Sequence, residues 1–471
     1  MADSRRAARR LAGALAVLIV VAALAAWKGG RLYDKVLDLR YGTTLPPPAG
    51  GPPADATAAR MQDLAYIAAL PDVDRSFTPE AAARFRDRIA RLRAEAGSLD
   101  SARFFMGIAE AVALSGNAHT NVDAVSWRAQ LNSAPVRFFW FPEGLFVIRA
   151  TAAHADLLGE RVVAIDGRDP EALEREAARY FAGTAEYVRV MSPLLLESPQ
   201  ALHVLHPEAS AASLVVRVQD AAGRTRDVEL EALAAGTAPR EPKPGRFLSP
   251  VRLRDERGEG WRALLESTPI PPSLREPDRT MYATRLAEGV LYLHLWRIRD
   301  VAGEPIGAGI LRALGGAGTP PWRRIVLDLR FDAGGDYPTV YRALRALPDR
   351  LAPGGRLAIL TDETTFSAAI IAAVLARHFA GPRAAVLGSR VGDRLAFWAE
   401  GTPARLPNSG IEVGVSTGYH DWSRGCRELR CWWPNIWYGV AGGDLTPDVP
   451  VAWRFADYRR GVDPVLRRAL E

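Results

Sequence analysis

Two short segments constrain this fold more than anything else in the chain. RIVLDLRFDAGGD, from residue 324 to 336, is an apolar run that ends in a Gly-Gly turn. LAILTDETTFSAAII, from 357 to 371, is a second apolar run that ends in a short polar turn, and Ser367 stands where an apolar helix begins. Two buried strands that each run into a tight turn can bring backbone N–H groups and a hydroxyl to one point, which is the arrangement acyl transfer needs. The surrounding sequence alternates in type. GVLYLHLW, WRRIVLDLR, RLAILTD and RAAVLGS read as strands. IGAGILRALGGAG, TVYRALRALPDR and SAAIIAAVLARHFA read as the helices between them. Near-continuous apolar strands separated by helices predict a layered α/β core.

At 471 residues the chain exceeds one ordinary core, so several domains are expected. The residues at 1–28 form a basic N-terminus and an apolar run, and 29–57 a Pro/Gly-rich linker. Residues 58–133 read as a helical segment and 134–236 as a small β-rich module. A linker at 237–276 then leads to the α/β core at 277–471. In the first of these, Arg5, Arg6, Arg9 and Arg10 precede LAGALAVLIVVAALAAW, seventeen residues without a charge. That pattern predicts an uncleaved transmembrane anchor with its basic end in the cytoplasm, and a cleaved signal peptide is the alternative. The remainder would then lie in the periplasm or otherwise outside the cytoplasmic membrane, the inner membrane if the cell is Gram-negative.

Charge excludes some functions. The net charge of +6 is spread among acidic neighbours with no aromatic-interleaved basic stripe, so no nucleic-acid partner is expected. Only three lysines occur, Lys28, Lys35 and Lys243, and none follows residue 243. Arginine does not accept protons near neutral pH, so a lysine base is all but excluded. Cys426 and Cys431, in CRELRC, are either a small disulfide loop suited to an oxidising compartment or a pair of free thiols. Even with nearby His420 they do not make a metal site, and neither a metal nor an organic cofactor is expected.

Taken together, LDLRFDAGGD, TDETTFSAAI and an upstream NAHTNV resemble the carboxyl-terminal processing peptidase and tricorn protease family of serine peptidases. The resemblance covers roughly residues 58 to 455. It implies a core of the crotonase/Clp protease-like type, an N-terminal helical segment and a PDZ-like module, though a helical stretch near 171–206 departs from a PDZ pattern. A PDZ-like groove would bind peptides by adding a strand; a structural module without ligand is the alternative.

The resemblance also implies roles. Ser367 would be the nucleophile, against the plainer reading of a helix N-cap serine. Gly334 would let the backbone turn sharply and contact the substrate without a Cβ clash, and Gly335 and Ala368 would supply oxyanion N–H groups. The bacterial branch places a lysine about two dozen residues after the serine, where this chain has Asp393 and Arg394. The tricorn-like branch uses a histidine, and NAHTNV places His119 there as the base. The residue before that histidine, a serine in tricorn, is Ala118 here. For the third catalytic group the position before the PD pair offers Asp444, with Asp393 and Asp421 as rivals. Asn408 and Ser409, in LPNSGIEVGVST, read as substrate contacts or as a plain turn. The Trp-rich stretch YHDWSRGCRELRCWWPNIWYG reads as an apolar specificity wall or as packing over the edge of the core. The expected activity is peptide-bond hydrolysis through a Ser-His acyl-enzyme. The alternative is a non-catalytic ligand- or peptide-binding protein on the same scaffold.

Overall fold

The computed structural model describes residues 35–37, 39–47, 50–239, 241, 244–253, 260–316 and 318–471. The apolar run at 11–27 lies outside these residues, and among the described residues no helix is long and apolar enough to cross a membrane.

The N-terminal region folds as its caps dictate. Helices α1 (Ala56–Ile67), α2 (Pro79–Glu95), α3 (Ser101–Ala113) and α4 (Ala124–Gln130) follow Asp55, Thr78, Asp100 and Asp123. Each of these side chains accepts a first-turn N–H, which satisfies a donor the helix itself leaves open. Phe85, Ile89 and Leu92 of α2 and Phe105, Ile108 and Val112 of α3 fall at helical spacing and are buried in one cluster.

An antiparallel sheet follows, made of β1 (Val136–Phe141), β2 (Gly144–Thr151), β3 (Arg161–Ile165), β4 (Ser213–Gln219) and β5 (Thr225–Glu231), in that order. Helices α5 (Pro170–Ala177), α6 (Ala185–Met191) and α7 (Pro199–Leu205), with a single turn at Pro193–Leu196, separate β3 from β4 and form the expected insertion. The stretch at 237–276 does more than connect. It supplies β6 (Trp261–Ala263), which pairs with β2, and its Phe247 is buried in a cluster with Phe331 of the core. Gly245 lies so close to Phe331 that a Cβ there would fall 2.4 Å from the ring. Its Pro/Gly composition disguised a packed segment.

The core begins with β7 (Met281–Ala287) and β8 (Val290–Leu295). It continues through α8 (Ile306–Leu314), β9 (Trp322–Asp328), α9 (Pro338–Ala346), β10 (Leu351–Thr361), α10 (Ala368–Ala380) and β11 (Ala384–Gly388). Next come the short pairs β12 (Ala396–Glu400) with β15 (Ser416–Asp421), and β13 (Ala404–Arg405) with β14 (Glu412–Val413). The chain closes with α11 (Trp433–Tyr438), β16 (Val449–Pro450) and α12 (Pro464–Leu470). The main sheet has the order β16-β11-β10-β9-β8-β7, parallel except for β7. Side chains of α8, α9 and α10 pack on one face. Val465, Leu466 and Ala469 of α12 cover Tyr292, Val326 and Leu360 on the other. A parallel sheet sends all its strand ends the same way, so the turns after neighbours β9 and β10 emerge side by side.

Asn408 and Ser409 sit in the turn between β13 and β14, and that turn is docked on α1. The buried Asp63 carboxylate accepts the Asn408 N–H at 2.8 Å and the Ser409 N–H at 2.9 Å. Asn408 Nδ2 donates to Ala59 O and Gln62 Oε1, both at 3.1 Å. The two residues therefore tie the helical region to the core and do not face the candidate site. The plain-turn reading is the one the structure supports, because Asp63 already takes up their donors.

Candidate active site

The two motif turns are stitched together by backbone and hydroxyl groups. Thr365 Oγ1 donates to Leu329 O at 2.9 Å, Phe366 N–H to Asp332 O at 3.0 Å, and Phe331 N–H to Thr364 Oγ1 at 2.8 Å. Below them Arg330 is buried and clamped between Asp328 and Asp463, with its four closest N···O contacts between 2.6 and 3.0 Å. The Asp and Arg of LDLR are thus the foundation of the turn. Such a triad is tolerable inside a protein because the guanidinium bridges both carboxylates, and the hydroxyls of Tyr292 and Ser273 donate to Asp328 and Asp463.

Ser367 stands at φ 53°, ψ −123°, immediately before α10, and its side chain makes no capping bond to the helix. A non-glycine residue held there costs about 1–3 kcal/mol and persists only where its surroundings dictate it. A plain N-cap serine has extended φ/ψ and bonds to the helix, so Ser367 is not one.

Gly334 adopts φ +97° directly against it. A Cβ on Gly334 would fall 2.7 Å from Ser367 Cβ and 2.8 Å from Ala368 N. Gly335, at φ +143°, passes Ile298 O so closely that a Cβ would sit 2.1 Å from it. Gly334 N–H is taken by Asp332 Oδ1 at 2.8 Å, whereas Gly335 N–H and Ala368 N–H have no partner among the described residues. Gly334→Ala is therefore expected to displace Ser367 and lower kcat by about 10²-fold or more, the usual cost of a misplacement near 1 Å. Steady-state kinetics beside a thermal melt will separate that loss from unfolding.

His119 reaches this point from far away in the chain. Its loop, between α3 and α4, is pinned to the β12–β15 hairpin. Asn117 Nδ2 donates to Trp398 O and Ser416 Oγ, both at 3.0 Å, and Thr120 Oγ1 donates to Asp74 Oδ2 at 2.8 Å. Asn121 Nδ2 donates to Ala182 O at 3.0 Å. The imidazole is then sandwiched between Phe366, ring centroids 4.5 Å apart, and Phe397 at 4.9 Å. Phe366 immediately precedes Ser367, so the base and the hydroxyl share one neighbourhood. Burial, and after it the nearby His420, pushes the His119 pKa down to about 3, so the ring is neutral at ordinary pH.

The acid beside His119 is Asp393. Its Oδ2 lies 3.7 Å from His119 Nδ1, beyond hydrogen-bond distance. Both imidazole nitrogens and Asp393 Oδ2 are buried without a hydrogen-bond partner among the described residues. Burial raises the Asp393 pKa to about 6, against the opposing pull of Arg394. Tyr187 stacks on Phe366 at 5.1 Å, and burial together with the Asp393 charge holds its hydroxyl protonated. Asp444 sits on the exposed rim of a cavity of about 170 Å³ that it shares with Asp393, and its carboxylate accepts Thr446 N–H at 2.9 Å. Asp421 caps its own turn through Ser423 and Arg424. The position before the PD pair thus carries a turn-capping acid, while Asp393, a rival in the sequence, lies against the imidazole. Phe366 and Phe397, which sandwich His119, and Tyr187 behind Phe366 carry no motif that distinguishes them from other core aromatics.

Cys426 and Cys431 are joined in a disulfide, and among the described residues no group of His, Cys, Asp and Glu could hold a metal ion. Behind His119 the rings continue. Phe397 stacks on His420 at 4.9 Å, and Trp432 meets both His420 at 6.4 Å and Tyr41 at 4.5 Å. The Trp-rich stretch thus packs over the edge of the core with part of its surface left outside.

No protein-family model matches this chain, and no curated protein matches it. Solved structures do. The fold is similar to that of mature CPAF. The complex of mature CPAF with lactacystin superposes with a TM-score of 0.55 at 13% identity, over 86% of this chain and 96% of that one. Mature CPAF alone gives 0.53 at 13% identity, over 86% and 95%. At this identity the likeness to CPAF establishes the fold: helical region, antiparallel module and mixed α/β core in one chain. The photosystem II D1 C-terminal processing protease aligns over 85% of this chain, but its TM-score of 0.36 adds nothing to the argument.

Proposed function

We propose that this chain is a serine peptidase of the carboxyl-terminal processing type that works through a histidine base. One observation carries the reading. A buried neutral imidazole with no hydrogen-bond partner stacks on the residue preceding a serine held at φ 53°. Buried polar atoms are nearly always satisfied, and a fold that tolerates both an orphaned imidazole and a strained serine in one place gains something other than stability.

In this reading Ser367 Oγ attacks the scissile carbonyl while His119 takes its proton. The tetrahedral oxyanion is held by the open N–H groups of Gly335 and Ala368, the latter at the positive end of α10. His119 then returns the proton to the leaving amine, and water, activated by the same imidazole, releases the acyl group. Asp393 takes the orienting role in place of Asp444: a swing of the ring by less than 1 Å would bring Nδ1–H onto its carboxylate, and catalytic hydrogen bonds often tighten only in the complex. The core is then of the crotonase/Clp protease-like type and the antiparallel module PDZ-like. The residues at 11–27 form the anchor, with the folded part extracytoplasmic. The disulfide supports export, since such bonds persist in oxidising compartments.

A fluorophosphonate probe is expected to label the wild-type protein and not Ser367→Ala; labelling that survives the substitution removes the nucleophile. The second reading, a binding protein on the same scaffold, is favoured by the absent Ser367–His119 hydrogen bond. It would be supported by a folded wild type that never reacts with the probe.

A further inference from the structure

We infer that the disulfide-closed loop from Arg424 to Trp437, with the N-terminal strap around Leu39, lies flat on the anionic surface of the bilayer that holds the anchor. The inference rests on the anchor reading above and goes beyond it.

Large apolar side chains are exposed together here. Leu429 is 89% exposed, Leu39 88% and Trp437 78%. The strap that carries Leu39 is fastened to the loop that carries the other two. Tyr41 is buried and donates from its hydroxyl to Cys431 O at 2.6 Å. Arg40 lies over the Trp433 ring at 5.1 Å and donates to Leu429 O. Exposed leucines and a tryptophan on one rim cost solvation in water and suit the headgroup layer, where indole rings concentrate.

The occupant follows from chain length and charge. Between Trp27, the last residue of the uncharged run, and Lys35 there are eight steps, at most about 29 Å of extended chain. Six residues after Lys35 the chain is pinned at Tyr41, so a spanning run tethers this face near the membrane. The loop between Arg424 and Arg430 carries three arginines: Arg424 pairs with Asp421 at 3.3 Å, Arg430 pairs with Glu428 at 2.7 Å, and Arg427 is exposed. Exposed arginine beside exposed leucine and tryptophan is the composition of a segment that binds an anionic interface. The disulfide keeps the loop compact, and Trp432 beneath it joins the ring stack that reaches His119. Docking would therefore set the orientation of the candidate site to the membrane plane.

The full chain, in a Trp27→Phe background that removes the anchor's own indole, is reconstituted in vesicles of phosphatidylcholine and phosphatidylglycerol. Brominated acyl chains are compared with unbrominated ones. Bromine is expected to quench part of the tryptophan emission, and a further Trp437→Phe substitution to abolish at least half of that quenching. Leu429→Asp is expected to reduce it as well. Protein that floats with the vesicles but shows no bromine-dependent quenching, or quenching unchanged by Trp437→Phe, overturns the inference and leaves the anchor standing. Failure to float overturns the anchor and the inference with it. Trp437 emission that shifts with protein concentration in detergent, and not with vesicles, makes the face a contact between copies of this chain and likewise overturns the inference.

Discussion

Ser367→Ala is expected to lower kcat by about 10⁴- to 10⁶-fold with KM little changed, and His119→Ala to do nearly the same. The double variant is expected to lose little more than either single one. Nucleophile and base act as one unit, so removing the second after the first deletes nothing that still functions. The hydroxyl of Ser367 makes no capping bond to α10, so its loss costs the folded state no helix cap. Alanine keeps the Cβ that makes φ 53° costly, so the backbone strain is unchanged and the melting temperature of Ser367→Ala is expected to stay close to that of the wild type. A peptide-hydrolysis assay on the four proteins, beside thermal melts, tests this. Losses that multiply in the double variant would mean that the two residues do not cooperate, and the acyl-enzyme scheme would fall.

The second large effect concerns Asp393. Because burial places the His119 pKa near 3, the imidazole is deprotonated throughout the working range and does not set the acid limb. Asp393, pushed up to about 6, becomes a carboxylate only above that pH. An imidazolium forming in a buried site needs that negative charge, so kcat/KM is expected to rise through about pH 6 and then level. Asp393→Asn is expected to lower kcat by about 10³- to 10⁴-fold and to abolish the limb near pH 6, since the neutral amide neither titrates nor stabilises the imidazolium. Asp444→Asn is expected to leave both the limb and the rate nearly unchanged, because that carboxylate is exposed and committed to Thr446 N–H. A pH profile in which Asp444→Asn, and not Asp393→Asn, removes the limb would restore the acid before the PD pair to the catalytic role.

Strands β8 to β11 and the helices between them were legible because buried parallel strands are continuous apolar runs, and helix caps such as Thr78 and Asp100 are local chemistry. The Ser367 and Gly334–Gly335 turns were legible for the same reason: each is a short-range feature that a few neighbouring residues dictate. Pro and Gly at 237–276 imply a linker, whereas the burial of Phe247 depends on Phe331, more than eighty residues away. Asn408 and Ser409 were open between two roles until Asp63, about 345 residues upstream, took their donors.

What the sequence determined by itself was the chemistry on offer: a serine before a helix, glycines that allow close approach, a histidine in NAHTNV, and no lysine to replace it. Tertiary structure alone decided which groups meet. The stack of Phe366, His119 and Phe397 joins residues about 250 positions apart, and Asp393 rather than Asp444 lies against the imidazole. Local propensities act over a few residues, whereas the meeting of distant side chains depends on how whole layers pack, and no short window of sequence records that.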